Sequence, residues 1–283
     1  MSNAIELKNV TKDYGDFKLD NVSLALPTGY IMGLIGPNGA GKTTMIKLIM
    51  NLIMKNAGEI EVLGLNYREH EVEIKQRIGF VYDLPNFYEH LSLKQLKNII
   101  APFYKRWDDA AFDKFVQRFD LPLNKVMKKF SRGMQMKSAI ALAFSHYADL
   151  IIMDEPTSGL DPISRREFLD LLRDLMQDEK RSILFSTHIT SDIEGVADYI
   201  TFILGGKIVF SSSKDEIMEN YAIVKGGHDQ TPAESNGCFV GIRQGEFGFE
   251  ALTRDVAAVR KKFGSELMID RASLEDIMYY SNL

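Results

Sequence analysis

The chain has 283 residues, long enough for one large domain or for a main domain with a smaller appendage. A hydrophobic content of 45% excludes disorder over most of its length, and 34 lysines and arginines against 39 aspartates and glutamates leave a net charge of −5, which argues against a nucleic-acid scaffold with a basic face. The single cysteine, Cys238, cannot close an internal disulfide; it fits a reducing compartment and reads as a small residue in a strand. No run of 18 apolar residues occurs, and the most apolar stretch, residues 139–153, is broken by Ser145, His146 and Asp149 and reads as a buried helix running into a buried strand. The opening Met-Ser-Asn-Ala leads into strand pattern rather than into a basic and then apolar leader, so the expected location is the cytosol.

Residues 5–35 alternate with period two (Ile5, Leu7; Val22, Leu24, Leu26) and end in the apolar run from Tyr30 to Ile35, which predicts strands. Lys42 to about Ile53 predicts a helix that is apolar around most of its circumference and therefore buried on several sides. Strand patterns return at 58–63 and 78–82. From about 90 to 147 the spacing is helical only: Ser92 and Gln95 form a capping box, Leu93, Leu96, Ile100 and Phe103 carry an apolar face, Phe112, Phe115, Val116 and Phe119 repeat the spacing, and another helix follows Lys129. Such a block inserted into a strand–helix chain predicts a helical lobe beside an α/β core. Alternation resumes with a buried strand at 150–153, a helix opened by Asp161 and Pro162, a strand at 182–186 and a hairpin turn at Gly205-Gly206. Near Tyr221 the composition changes; residues 226–237 are polar and loop-like, and short strand and helix patterns then run to Leu283.

The strongest chemical signal is the run Gly36, Pro37, Asn38, Gly39, Ala40, Gly41, Lys42, Thr43 and Thr44, a G-x4-G-K-T loop between an apolar strand and a helix. Its glycines let backbone N–H groups curl around phosphate oxygens, the helix points its positive end at them, Lys42 adds a full charge, and Thr43 offers a hydroxyl to Mg²⁺. A second signal is the apolar strand ending in Asp154 and Glu155. Asp154 is placed to hold the Mg²⁺ shell and Glu155 to take a proton from an attacking water.

Over residues 1–220 the sequence resembles the ABC ATPase family. The likeness lies in the ordered set of motifs: Phe130-Ser-Arg-Gly-Met-Gln135 resembles the LSGGQ signature in variant form, Ser158-Gly-Leu-Asp161 the D-loop, and Ser186-Thr-His188 the switch histidine, while Tyr14 lies where the family stacks an aromatic on adenine. The resemblance implies an α/β fold: a P-loop NTPase core at 1–220 with an N-terminal antiparallel β-subdomain and an α-helical subdomain inserted at about 90–147, followed by a small α+β accessory domain at 221–283. It also implies that Ser131 and Gly133 face the γ-phosphate held by a second ATPase subunit, so that two subunits, identical or sister chains, sandwich two ATPs. Asp161 would join the two sites across that interface, and His188 would contact the γ-phosphate and position the water.

Three departures from the family pattern stand out. In the signature, Arg132 replaces the glycine that partners Gly133 and Met134 replaces the glutamine; Lys137 stands where an arginine is common; and Asp83 replaces the Q-loop glutamine after the strand at 78–82. A bare carboxylate ~4 Å from the γ-phosphate would be repelled by roughly 4 kcal/mol at an effective dielectric near 20. Either Mg²⁺ lies between them, with Asp83 as a third metal ligand beside Thr43 and Asp154, or Asp83 faces away.

One ATPase domain and no sustained heptads separate this chain from the soluble repair, chromosome and translation-factor branches of the superfamily, which leave a non-transport ATPase as the alternative reading. The resemblance then implies a transport motor on the inner face of the cell membrane, docked on a separate integral membrane permease through a groove lined by Leu84, Pro85, Phe87 and Tyr88, with ATP and Mg²⁺ and without nucleic acid. The ending from Ala272 to Ile277 followed by aromatics is similar to ATPases of bacterial export systems, whose cargoes include drugs, antimicrobial peptides and toxin peptides such as phenol-soluble modulins.

Overall fold

The computed structural model describes residues 2–83, 87–176, 181–227, 238–263 and 267–283. The chain divides between Ser211 and Ser212 into two compact units, ahead of the change in composition near Tyr221.

In the first unit, β1 (Asn3–Asp13), β2 (Lys18–Pro27) and β4 (Ala57–Val62) form a three-stranded antiparallel sheet in the order β2-β1-β4. Their inward residues alternate as the period-two pattern requires, with Ile5, Leu7, Val22 and Leu26 buried. The second sheet has the order β5-β6-β7-β3-β8-β9, from β3 (Ile31–Ile35), β5 (Ile78–Val81), β6 (Leu150–Met153), β7 (Ser182–Thr187), β8 (Tyr199–Leu204) and β9 (Lys207–Ser213). The strands from β5 to β8 run parallel and carry near-continuous apolar runs, as strands covered on both faces do. β8 and β9 are joined at Gly205-Gly206, the expected hairpin.

Helix α1 (Lys42–Ile49) buries Met45, Ile46, Leu48 and Ile49, but it stops four residues short of the expected end. Asn51 adopts a left-handed φ of 53°, a helix-ending conformation, and Leu52 is left exposed. Helix α2 (Tyr67–Gln76), which the apolar spacing does not predict, buries only Ile74 and is started by the Asn66 side chain, which accepts from the Glu69 N–H. The lobe consists of α3 (Leu93–Ile100), α4 (Asp109–Arg118) and α5 (Arg132–Phe144) around Leu93, Leu96, Phe112, Leu121, Met127, Phe130 and Leu142. The Ser92–Gln95 capping box is present. Phe103 departs from the expected face: a 3₁₀ turn over Ala101–Phe103, with Pro102 inside it, ends the helical period and leaves Phe103 exposed. Helices α6 (Pro162–Leu175) and α7 (Thr190–Val196) complete the unit.

The second unit is α+β. Strands β10 (Ala222–Gly226), β11 (Gly241–Gly245), β12 (Gly248–Thr253) and β13 (Met268–Arg271) pair antiparallel in the order β11-β12-β10-β13, with α8 (Lys214–Asn220), α9 (Val256–Phe263) and α10 (Leu274–Ser281). Val224, Phe249, Ala251, Val259 and Leu267 form its core. Cys238 packs beside that core but lies ahead of β11 rather than in a strand; its carbonyl accepts from the Thr253 hydroxyl at 2.8 Å. The ending of similar pattern to export ATPases is α10, opened by a capping box of Ser273 and Asp276.

Candidate nucleotide-binding and catalytic site

The chemistry-bearing residues follow the C-terminal ends of β3, β6 and β7, the crevice edge where open parallel sheets bind ligands. After β3 the chain runs through Gly36–Gly41 into α1. Gly36 is packed so closely that a Cβ there would come within 2.3 Å of the Ile203 carbonyl oxygen, so the loop can lie on β8 only without a side chain. Lys42 is buried at 6% exposure, and its Nζ donates to the carbonyls of Gly36 at 2.7 Å and Pro37 at 3.2 Å.

After β6, the Asp154 carboxylate is buried and its Oδ1 accepts from the Ser186 hydroxyl at 2.6 Å. The same Ser186 oxygen accepts from the Glu155 N–H at 2.9 Å, so one hydroxyl from β7 sets both acidic residues. Glu155 is held at a left-handed φ of 47°, a conformation that costs a non-glycine residue about 1–2 kcal/mol. Its two oxygens are divided: Oε1 lies 3.2 Å from Lys42 Nζ, and Oε2 lies 2.8 Å from His188 Nδ1 and accepts the His188 N–H at 3.3 Å.

A cavity of about 400 Å³ opens here, bordered by Asn38, Gly39, Gly41, Lys42, Thr43 and Thr44 on one side and by Glu155, Ser158 and His188 on the other. Asp83 and Phe17 complete its lining. The buried lysine, the glycine cradle and the helix N-terminus fit a polyphosphate. Among the described residues no three His, Cys, Asp or Glu side chains converge as a metal cage. The Thr43 hydroxyl and the carboxylates of Asp83 and Glu155 do line the cavity, oxygen donors of the kind Mg²⁺ takes alongside substrate phosphates.

Tyr14, Ser131, Gly133 and Asp161 do not line this cavity, and Gly36, Pro37, Ala40 and the buried Asp154 lie behind its lining. Tyr14 is half exposed after β1, with the Lys12 ammonium 4.9 Å above its ring. Phe17, three residues on, closes over the loop instead, with its ring tip at the contact limit of a Cβ on Gly41. An aromatic three positions after the expected one carries no motif of its own, so sequence reasoning passed over it. Ser131 is the exposed N-cap of α5 and accepts from the Met134 N–H at 3.2 Å. Asp161 caps α6, accepting from the N–H groups of Ile163 and Ser164, and the hydrogen bonds from Ser164 foremost hold its carboxyl below the ordinary range. Asp83 borders the cavity and also pairs with Arg132, Nη2 to Oδ1 at 3.1 Å. Burial pushes its carboxyl above the ordinary range; Arg132 opposes that push, and Asp154 and Glu155 add to it.

Residues 19–158 match the family model described as ABC transporter. The chain is 37% identical over 212 residues to the bacitracin transport ATP-binding protein BcrA of Bacillus licheniformis, covering 74% of this chain and 69% of that one. It is 32% identical over 222 residues to the lantibiotic transport ATP-binding protein SrtF of Streptococcus pyogenes, covering 75% and 91%. A 29% match over 277 residues to the uncharacterized ABC transporter ATP-binding protein YcbN of Bacillus subtilis takes in 96% of the chain and so runs through its second unit. A solved ATP-binding subunit of an ABC transporter superposes with a TM-score of 0.68 at 28% identity, over 76% of this chain and 92% of that one. The phosphate loop, the acidic pair after β6 and the histidine after β7 thus sit in a chain that belongs to the ATP-binding subunits of ABC transporters, enzymes that hydrolyse ATP to drive transport.

Proposed function

We propose that this subunit energises export of peptide-antibiotic-like cargo through a separate membrane permease, working at the cytoplasmic face as a nucleotide-sandwich dimer, with the second unit as an accessory domain. The observation that carries the reading is the division of the motif residues. Lys42, Thr43, Glu155 and His188 share one cavity, whereas Ser131, Gly133 and Asp161 lie outside it. A motif set split in this way supports completion of each site by a second copy. The names of two relatives, for bacitracin transport and lantibiotic transport, support the cargo class.

In this reading the loop from Gly36 to Thr44 holds the phosphates, and Lys42 turns from the Gly36 and Pro37 carbonyls to the terminal phosphates. Thr43 and Asp154, with Asp83 at the same cavity edge, would hold Mg²⁺, which would neutralise charge on the phosphates. Glu155 is the general base, and its Oε1 becomes free for water once Lys42 has a phosphate partner; His188 keeps the carboxylate aimed through Oε2. Tyr14 supplies a stacking face for adenine, and Phe17 a wall over the loop.

Light scattering of the Glu155→Gln variant tests the dimer: a species of twice the subunit mass is expected with MgATP and not with ADP. A monomer at every workable concentration would refute a homodimer and leave a sister ATPase as the partner. For the cargo, cells carrying Glu155→Gln are expected to lose protection against bacitracin or lantibiotics, and unchanged sensitivity to both would remove that cargo class.

A further inference from the structure

Asp83 and Arg132 lie 49 residues apart in sequence yet form an ion pair, and the same Arg132 Nη2 reaches the Ser158 hydroxyl at 3.4 Å. The guanidinium lies across Gly159, where a Cβ would come within 2.5 Å of Nη1. One side chain thereby ties the start of α5 to the end of β5 and to the turn ahead of α6. The two side chains are 40% and 42% exposed, and ion pairs so open to water contribute little to stability. A structural brace does not explain the arrangement.

The position of Arg132 does. It is the first residue of α5, where unpaired N–H groups concentrate positive charge and a fixed cation is disfavoured unless an anion stands near. Arginine cannot shed its proton to relieve that cost, and its forked donors suit carboxylate and phosphate alike. Among the described residues Asp83 is the anion that pairs with it, and it borders the nucleotide cavity. Ser131, next to Arg132, is exposed at the same helix start.

We propose that Arg132 is a phosphate-binding residue with two alternative partners: Asp83 of its own chain in the free subunit, and the terminal phosphate of the nucleotide held by a second copy when two subunits close. The proposal rests on the sandwich dimer of the preceding subsection. Nucleotide then favours closure, because the phosphate gives Arg132 a stronger partner at the helix N-terminus than the exposed Asp83 pair it replaces. The exchange also releases the Ser158–Gly159 turn and frees the Asp83 carboxylate for the metal side of the cavity.

The test measures the ATP concentration for half-maximal dimerisation of the full-length Glu155→Gln protein at saturating Mg²⁺, by light scattering. Arg132→Ala is expected to raise it about tenfold, the loss of one charge-assisted phosphate contact, with Arg132→Lys intermediate. Asp83→Gln is expected to lower it about three- to fivefold by releasing the resting partner, and to have no effect once Arg132 is alanine. A general folding defect would not give opposite signs for the two residues, nor abolish one effect through the other. An Arg132→Ala midpoint equal to the parent's overturns the phosphate contact. An Asp83→Gln shift of the same size with and without Arg132, or a raised midpoint as for a plain metal ligand, overturns the exchange. A parent that forms no MgATP-dependent dimer overturns the sandwich and this proposal together, which separates that failure from the other two.

Discussion

Lys42 Nζ and Glu155 Oε1 lie 3.2 Å apart, at 6% and 13% side-chain exposure, so that the phosphate-loop lysine and the candidate base form a largely buried ion pair. Under the proposed mechanism the base depends on the substrate, because a polyphosphate would draw Lys42 away and leave a carboxylate oxygen to accept a proton. Glu155→Gln keeps the shape and the His188 N–H contact but removes the basicity. Phosphate release is expected to fall about a hundredfold or more, with nucleotide affinity kept or raised. Turnover within a few fold of the parent would remove Glu155 from this role.

In the proposed reading, Tyr14 and Phe17 share the aromatic contact with adenine. Phe17 borders the cavity, whereas Tyr14 is half exposed under the Lys12 ammonium. Each truncation to alanine is expected to weaken binding of a fluorescent ATP analogue by about five- to thirtyfold, as loss of one base–aromatic stack does. Unaltered affinity in Tyr14→Ala with a loss in Phe17→Ala would assign the stacking face to Phe17 alone.

The clustering of Lys42, Glu155 and His188 was legible in the sequence because each belongs to a loop that directly ends a parallel strand: Lys42 after β3, Glu155 after β6, His188 after β7. Strand order alone then brings them together. Contacts that depend on side-chain reach across separate elements left no such trace. The Ser186 hydroxyl shared by Asp154 and Glu155, the Phe17 ring over Gly41 and the Arg132–Asp83 pair are all of this kind. Helix ends depart from the apolar spacing where a backbone conformation overrides it, as at Asn51 after α1 and at the turn holding Phe103.

Two of the four residues expected to line the permease groove, Phe87 and Tyr88, fall among the described residues. Leu84 and Pro85 lie outside the described residues, and Phe87 packs against the core of the helical lobe. Tyr88 remains 68% exposed at its edge. Tyr88→Ala is therefore expected to leave thermal stability unchanged and to reduce permease-stimulated hydrolysis several fold. Phe87→Ala, by contrast, is expected to cost the lobe roughly 1–3 kcal/mol, below the full range for a core phenylalanine because the ring is only partly buried. Normal co-purification and stimulation in Tyr88→Ala would place docking elsewhere.

His146 provides a test of stability against pH. It sits in the turn after α5, fully buried, stacked on Tyr104 with ring centroids 3.8 Å apart, and neither ring nitrogen has a hydrogen-bond partner. Burial foremost, with Arg106 and Arg181 acting in the same direction and Asp149 and the residue's own backbone opposing, lowers its pKa from 6.5 to about 4. The folded protein thus holds a neutral imidazole that the unfolded chain would protonate first. A depressed value of this sign contributes stability that is complete above about pH 6.5 and is lost as pH falls through about 4, amounting to at most ~3 kcal/mol. His146→Phe keeps the stacking on Tyr104 and removes the titration. Because every carboxylate adds its own acid slope, the informative quantity is the difference in unfolding free energy between parent and variant across pH 7 to 4. That difference is expected to move in favour of the variant as pH falls, and parallel curves over the whole range would show that His146 does not titrate between the two states.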